Sequence, residues 1–500
     1  MPLSIILAFA FVFWRSELTE PWLLLSPDDL VWTTAIALFQ PVLIGAAAFA
    51  SSCRTIRLLA RNPARIGDIQ HFFGRASIVL RALAVIAFGF LVFLTPWPDW
   101  FGFRSVHPAL QIAGDMIVMM PFVVTSALIW VAAYGAERAL RMTAARALDA
   151  ATLPVGPERE FRAYLDHQFR NQFLIVAAPM LLILFSANVI RGYRNTLTEW
   201  TRLVWASDAA LGIVAVAIFL VSPVILRRIW RTHPLENGEL RQRLDSHCRR
   251  VGLKCRDILV WSSDGLMINA AVMGVLPRFR YVLLSDGLLR AMSVEQIEAV
   301  FGHEAGHVRH RHIQIFLVFA LVGWLVVSGL MELLAILFVD ASSHPQTALI
   351  AVEGIGIVGT ILVWAVCFGR LSRRFERQAD TFGAGCATPP PEKCVQPCSV
   401  HLESRTNDST DGRVCVTGAD VFAHALERVA VLNGIPREEH SWRHSSIGDR
   451  IRFLRRLAGD PAAAVHFHRS TRRLTRAMIW VAGVGSILSG VYAVFVLDAV

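Results

Sequence analysis

Residues 299–312, AVFGHEAGHVRHRH, gather His303, His307, His310 and His312 around one glutamate, Glu304. Upstream, Ser293 with Gln296 three positions later forms a capping box, and the proline-free run that follows reads as a helix. On a helix His303 and His307, four apart, project from one face one turn above each other. Two neutral imidazoles so placed bind Zn2+, and the glutamate between them activates a bound water as general base. The plainer reading is a basic helix end near a membrane surface, so the remaining ligand becomes the test.

A catalytic zinc takes three protein ligands and keeps an open position for water. His310 and His312 are poor third ligands, because from three and five residues beyond His307 they would have to reach back along the same helix. A third histidine six beyond the second is absent, since Ile313 stands there. Downstream, LSRRFERQADTFG places Glu376 and Asp380 four apart on a second helix. Glu376 can complete the ligand set, and Asp380, one turn later, can accept the free N–H of a zinc-bound imidazole and fix its tautomer. One zinc ion per chain is the expected cofactor. The plainer alternative is an exposed charged helix.

These pieces need a scaffold, and composition limits what it can be. With 500 residues, 54% of them hydrophobic, and a mean hydropathy of +0.49, the chain is too apolar for an ordinary soluble protein. Apolar runs of spanning length lie near residues 31–52, 82–97, 110–134, 173–190, 205–226, 313–339, 347–369 and 477–498. The expected fold is therefore a polytopic α-helical membrane protein of about eight spans with a zincin-like α+β catalytic domain on the cytosolic face. The first apolar segment, residues 3–14, is shorter than a span and lacks a basic flank and a small-residue cleavage site, so it does not read as a cleaved signal. It is left as a re-entrant or interfacial piece or a short ninth span.

Arginines set the orientation, because short translocated loops carry few basic residues. Arg54, Arg57, Arg61, Arg65 and Arg75 follow the first run, Arg138, Arg141 and Arg146 the third, Arg227, Arg228 and Arg231 the fifth, and Arg370, Arg373, Arg374 and Arg377 the seventh. The loop DASSHPQ, between the sixth and seventh, has none. Both large polar segments are thus expected in the cytosol. The net charge of +10 is mostly this topological arginine, aided by attraction to anionic lipid, and gives no ground for a nucleic-acid partner. Lys254 and Lys393 are the only lysines, an arginine bias of GC-rich bacterial genomes that points to a bacterial inner membrane.

The expected organisation is residues 1–226 with five spans, 227–312 as the first catalytic part with the HExxH helix, 313–369 with two spans, 370–474 as the second catalytic part, and 475–500 with the last span. Within the second part, residues 386–415 form a loop-like insertion with Cys386, Cys394, Cys398 and Cys415. No Cys-x-x-Cys pair is present, so a second metal site is not expected, and reduced thiols are the plain reading on the cytosolic side.

HEAGH and FERQAD, in this order and context, resemble the metal helix and the Glu-x-x-x-Asp segment of the HtpX and type I CaaX prenyl protease family of membrane zinc peptidases. The resemblance covers most of residues 230–460 and implies His303, His307 and Glu376 as ligands, Glu304 as base and Asp380 behind the ligands. INAAVMGVLPRFRYVLLSDGLL, residues 268–289, resembles the family's Asn-Ala strand, which implies Asn269 and Ala270 in substrate binding. HSSIGDRIRFL, residues 444–454, resembles its late His-Pro segment and implies catalytic roles for His444 and Arg450, with Ser445 where proline is usual.

Physical chemistry supports such roles. A peptide can be held extended by adding a strand to an exposed sheet edge, for which residues 269–275 are suited. A His or Arg aimed at the scissile carbonyl oxygen stabilises the charge that develops there. The expected activity is endoproteolysis of membrane-associated proteins or peptides. The alternatives are CaaX-type processing of lipidated or tethered peptides and, in another class, a zinc-binding transporter or scaffold without proteolysis.

Overall fold

The computed structural model describes residues 2–17, 23–101, 108–147, 160–203, 206–263, 267–334, 337–338, 352, 354–356, 359, 362, 364–394, 398–402, 413–433, 435–440 and 444–497. The chain forms two compact units, Met1–Thr232 and His233–Val500.

The first unit is helical. Among the described residues, six helices of the chain are long and apolar enough to cross a membrane, and five of them, Leu30–Arg61, Pro63–Leu94, Leu110–Thr143, Phe161–Gly192 and Ala206–Ile229, belong to this unit. The inner faces of the first four meet around Phe88, Leu91, Val92, Met119 and Phe122, which are almost fully buried. The outer faces of the five expose Leu38, Phe39, Leu43, Ile78, Ile86 and Ile213. Only 6% of the most apolar window of Ala206–Ile229 is buried by protein, which suits helices whose remaining solvent is lipid. Residues 3–14 lie on the 16-residue helix Pro2–Glu17, with Ile5, Ala8 and Phe9 packed into the same core.

The sixth such helix, His312–Met331, belongs to the second unit. The expected seventh span, 347–369, falls largely outside the described residues, and the eighth lies on the long helix Pro461–Leu497.

The second unit also holds a small sheet of four strands, β1 (Thr232–Pro234), β2 (Asp257–Trp261), β3 (Ala270–Met273) and β4 (Tyr281–Ser285), in the order β1-β2-β4-β3. β2 and β4 are parallel, with Asp257 opposite Tyr281, and β3 runs antiparallel to β4, with Ala270 opposite Leu284. β4 is buried along its whole length, as the run YVLLS requires of a central strand. β3 is an edge strand.

Four of its helices frame the site. The HExxH helix, Val294–Arg309, starts with the expected capping box: Gln296 N–H donates to Ser293 Oγ and Ser293 N–H to Gln296 Oε1. The Glu376 helix, Gly369–Cys386, packs along it, and the Phe422 helix, Val416–Leu432, lies against both. The Arg450 helix, Ile447–Gly459, is N-capped by Ser446, whose Oγ accepts the Asp449 N–H. Close packing of the first two rests on glycines. A Cβ at Gly306 would stand 3.0 Å from Phe382 Cβ and 3.1 Å from Ala379 Cα, and one at Gly383 would meet Phe422 Cε2 at 2.9 Å and His303 N at 3.1 Å.

The HExxH helix does not run straight into the next one. It stops at His310, and Arg311 takes a left-handed conformation at φ 57° before His312 opens the apolar helix His312–Leu334.

Candidate metal centre

The close approach of the HExxH and Glu376 helices brings three donor groups to one point. His303 Nε2 and His307 Nε2 are 3.2 Å apart. His303 Nε2 lies 3.7 Å from Glu376 Oε2, and His307 Nε2 3.7 Å from Glu376 Oε1. Around a tetrahedral zinc with bonds of about 2.0–2.1 Å, ligand atoms sit roughly 3.3 Å apart, so the cluster fits a zinc ion with one position left open.

Each candidate ligand is held from behind. His303 Nδ1 lies 2.9 Å from Asp380 Oδ1, which directs Nε2 toward the other ligands. Asp380 is fully buried and receives two hydrogen bonds from Arg450, Nε to Oδ2 at 2.9 Å and Nη2 to Oδ1 at 2.5 Å. Burial alone would raise the Asp380 carboxyl, but the Arg450 guanidinium holds it below the usual range. The His303 ring packs on Phe422, centroids 5.9 Å apart.

The other imidazole has a partner that sequence reasoning set aside. His307 Nδ1 is 2.9 Å from His312 Nδ1, His312 Nε2 is 3.1 Å from Gln378 Oε1, and Gln378 Nε2 is 3.2 Å from His310 Nδ1. With His307 donating through Nδ1 and His312 through Nε2, every member of this chain is satisfied and His307 Nε2 keeps its lone pair for a metal. Burial, then the neighbouring His303, lowers the His307 pKa to about 4, which keeps the ring neutral as a ligand must be. His312 is clamped face to face on Phe375, 4.2 Å between centroids.

Glu376 is burdened by burial, yet the hydrogen bond from His444 and the charges of His303 and Arg450 hold its carboxyl well below the ordinary range. His444 Nδ1 lies 3.1 Å from Glu376 Oε2, and its side chain is 46% exposed. Arg450 is buried and turned to Asp380, with Nη2 3.9 Å from Glu376 Oε2. Of the two residues expected to face the substrate carbonyl, His444 or Arg450, Arg450 donates both its hydrogen bonds to the carboxylate behind His303.

Glu304 stands beside the ligands, and burial, together with the Glu376 charge, pushes its carboxyl up to about 7 against the pull of His303. Its Oε2 accepts the Val272 N–H of the edge strand β3 at 3.3 Å. At the start of that strand Asn269 caps its own neighbour, Oδ1 accepting the Ala270 N–H at 3.0 Å, while Asn269 N–H donates to Ser285 Oγ at 3.0 Å. The outward amides of β3 thus face the side on which Glu304 lies.

Residues 234–456 match peptidase family M48. A protease HtpX homolog of Aeropyrum pernix is 25% identical over 303 residues, covering 53% of this chain and 94% of that relative. One of Archaeoglobus fulgidus is 26% identical over 200 residues, 40% of this chain and 57% of the relative. CAAX prenyl protease 1 of Saccharomyces cerevisiae is 29% identical over 123 residues, 24% of this chain and 27% of the relative. The crystal structure of S. mikatae Ste24p aligns with 87% of this chain and 100% of that one at 15% identity and a TM-score of 0.47. The matched residues 234–456 contain His303, Glu304, His307 and Glu376, so the donor cluster lies within the segment that is similar to peptidase family M48.

Proposed function

We propose that the chain is a membrane-embedded zinc endopeptidase that cuts membrane-associated polypeptides on the cytosolic side. His303, His307 and Glu376 hold the metal, Glu304 is the general base, and Asp380 positions His303. Bound there, zinc supplies a Lewis acid that polarises the scissile carbonyl and lowers the pKa of water. The observation that supports this reading best is the Val272 N–H to Glu304 Oε2 contact of 3.3 Å, which joins the glutamate next to His303 to the free edge of β3.

A substrate added to β3 receives backbone hydrogen bonds from the Ala270 and Val272 edge with little demand on its side chains. It displaces Glu304 from Val272, so the carboxylate is released to take the water proton as the peptide arrives. Asn269 lies at the end of the same edge, within reach of one more backbone group. His444, half-exposed on the Glu376 oxygen, is the group placed to meet the carbonyl oxygen as negative charge develops. Glu304 then carries the proton to the leaving amine.

The test is Glu304→Gln in purified full-length protein. Zinc content stays at the wild-type level and peptidase activity falls by about 10²–10⁴-fold or more; undiminished activity overturns the assignment.

A further inference from the structure

The insertion between the Glu376 and Phe422 helices gathers a second set of donors. Cys394 Sγ lies 4.0 Å from Cys398 Sγ and 3.9 Å from Cys415 Sγ, Cys398 and Cys415 are 3.7 Å apart, and Cys398 Sγ is 3.1 Å from His401 Nδ1. All four ligand atoms fall within 4.8 Å of one another. Cys398 and Cys415 are buried, and Cys394 and His401 half-buried. We propose that Cys394, Cys398, His401 and Cys415 form a closed Cys3His site for one structural zinc ion.

The distances are those of a tetrahedron and not of a disulfide. Four ligands around a zinc with Zn–S bonds of about 2.3 Å place their sulfurs roughly 3.8 Å apart, whereas a disulfide brings two sulfurs to about 2.05 Å. Three thiols at nearly equal separation match the first case. His401 Nε2 lies 3.1 Å from Pro389 O, so that nitrogen carries the proton and donates it, and Nδ1 presents a lone pair to the sulfurs. A backbone carbonyl behind a ligating imidazole is the usual orienting partner. Cys415 is the N-cap residue of the Phe422 helix, so the donor set is anchored at the start of a regular element.

The spacing is Cys-x3-Cys-x2-His-x13-Cys, whose Cys-x3-Cys part falls in the usual range for a zinc-binding pair. A search for Cys-x-x-Cys alone passes over it, and His401 is the ligand that it omits. Four protein ligands leave no open position, so this ion takes no part in hydrolysis. Its place gives it a structural task. It ties the chain that leaves the Glu376 helix at Cys386 to the first residue before the Phe422 helix, and Phe422 is the ring on which His303 packs.

The experiment counts metal in the full-length protein, purified in detergent, by inductively coupled plasma mass spectrometry. Wild type holds about two zinc ions per chain, a His303→Ala/His307→Ala variant about one, a Cys398→Ser/Cys415→Ser variant about one, and the combination none. A single zinc that is lost with the two histidines and untouched by the two cysteines overturns this proposal and leaves the peptidase reading standing. Loss of zinc with the cysteines alone does the reverse. Because the cysteine variant can fold poorly, two further readouts use a folded site. In wild type, maleimide labels Cys394, Cys398 and Cys415 only after chelation. With Co2+ as probe, a thiolate-to-metal charge-transfer band persists in His303→Ala/His307→Ala and in His401→Cys, which keeps four ligands. Immediate labelling, or a disulfide among the three cysteines in unreduced protein, overturns the site.

Discussion

His312 stands with Nδ1 2.9 Å from His307 Nδ1, five residues along the chain, where a continuous helix would turn it to another face. The left-handed Arg311 allows this, since it ends one helix and lets the next begin with His312 folded back beside the ligand. The partner of His307 is thus a histidine from the first residue of an apolar helix, held by Phe375 and Gln378 of the Glu376 helix.

His312→Ala is expected to weaken zinc binding by about 10–100-fold, as loss of a group that orients a ligand typically does. Competition with a chromophoric chelator measures it. At saturating zinc much of the activity returns, because Glu304 and all three ligands remain.

On the His303 side, Asp380→Asn is expected to cost about 10–100-fold in zinc affinity. Arg450→Ala is expected to do more to the fold than to the metal. It leaves a fully buried carboxylate without its two hydrogen bonds, at about 3–5 kcal/mol. Thermal unfolding of both variants distinguishes the two roles, with the larger fall in Tm for Arg450→Ala.

On the proposed ligand set, Glu376→Ala removes a ligand outright and is expected to lower zinc content at the active site, in contrast to Glu304→Gln. Full occupancy in Glu376→Ala would mean that another carboxylate completes the site.

Gly383→Val is expected to part the two ligand helices. Its side chain would stand against Phe422 Cε2 at 2.9 Å and backbone atoms at 3.1 Å, so the Glu376 helix must shift, at about 1–3 kcal/mol. Tm falls and active-site zinc is bound more weakly, though no ligand is changed.

Access gives the last expectation. The HExxH helix leads at once into the apolar, span-length helix that begins at His312, which on the proposed reading keeps the catalytic residues close to the membrane surface. One flexible peptide presented to reconstituted enzyme with and without a membrane anchor should be cut faster when anchored, through effective concentration at the surface. Equal rates would remove the case for membrane-restricted substrates.

Much of the site was legible in the sequence because its parts are local. Helical spacing places His303 and His307 on one face, the same spacing relates Glu376 to Asp380, and the Ser293–Gln296 box marks where the first of these helices starts. The apolar runs announce the membrane helices, since nothing but lipid satisfies such long uncharged faces. Tertiary structure decided what depends on two segments meeting. The approach of the Glu376 helix over Gly306 and Gly383 sets whether its carboxylate reaches the imidazoles. Arg450 is drawn to Asp380 across 70 residues of chain, a pairing that no periodicity encodes. A single left-handed residue, Arg311, turns His312 from a dismissed histidine into the support of His307. The four donors of the insertion converge only when His401 is folded onto three cysteines, because tetrahedral coordination is a relation in space and not a spacing along the chain.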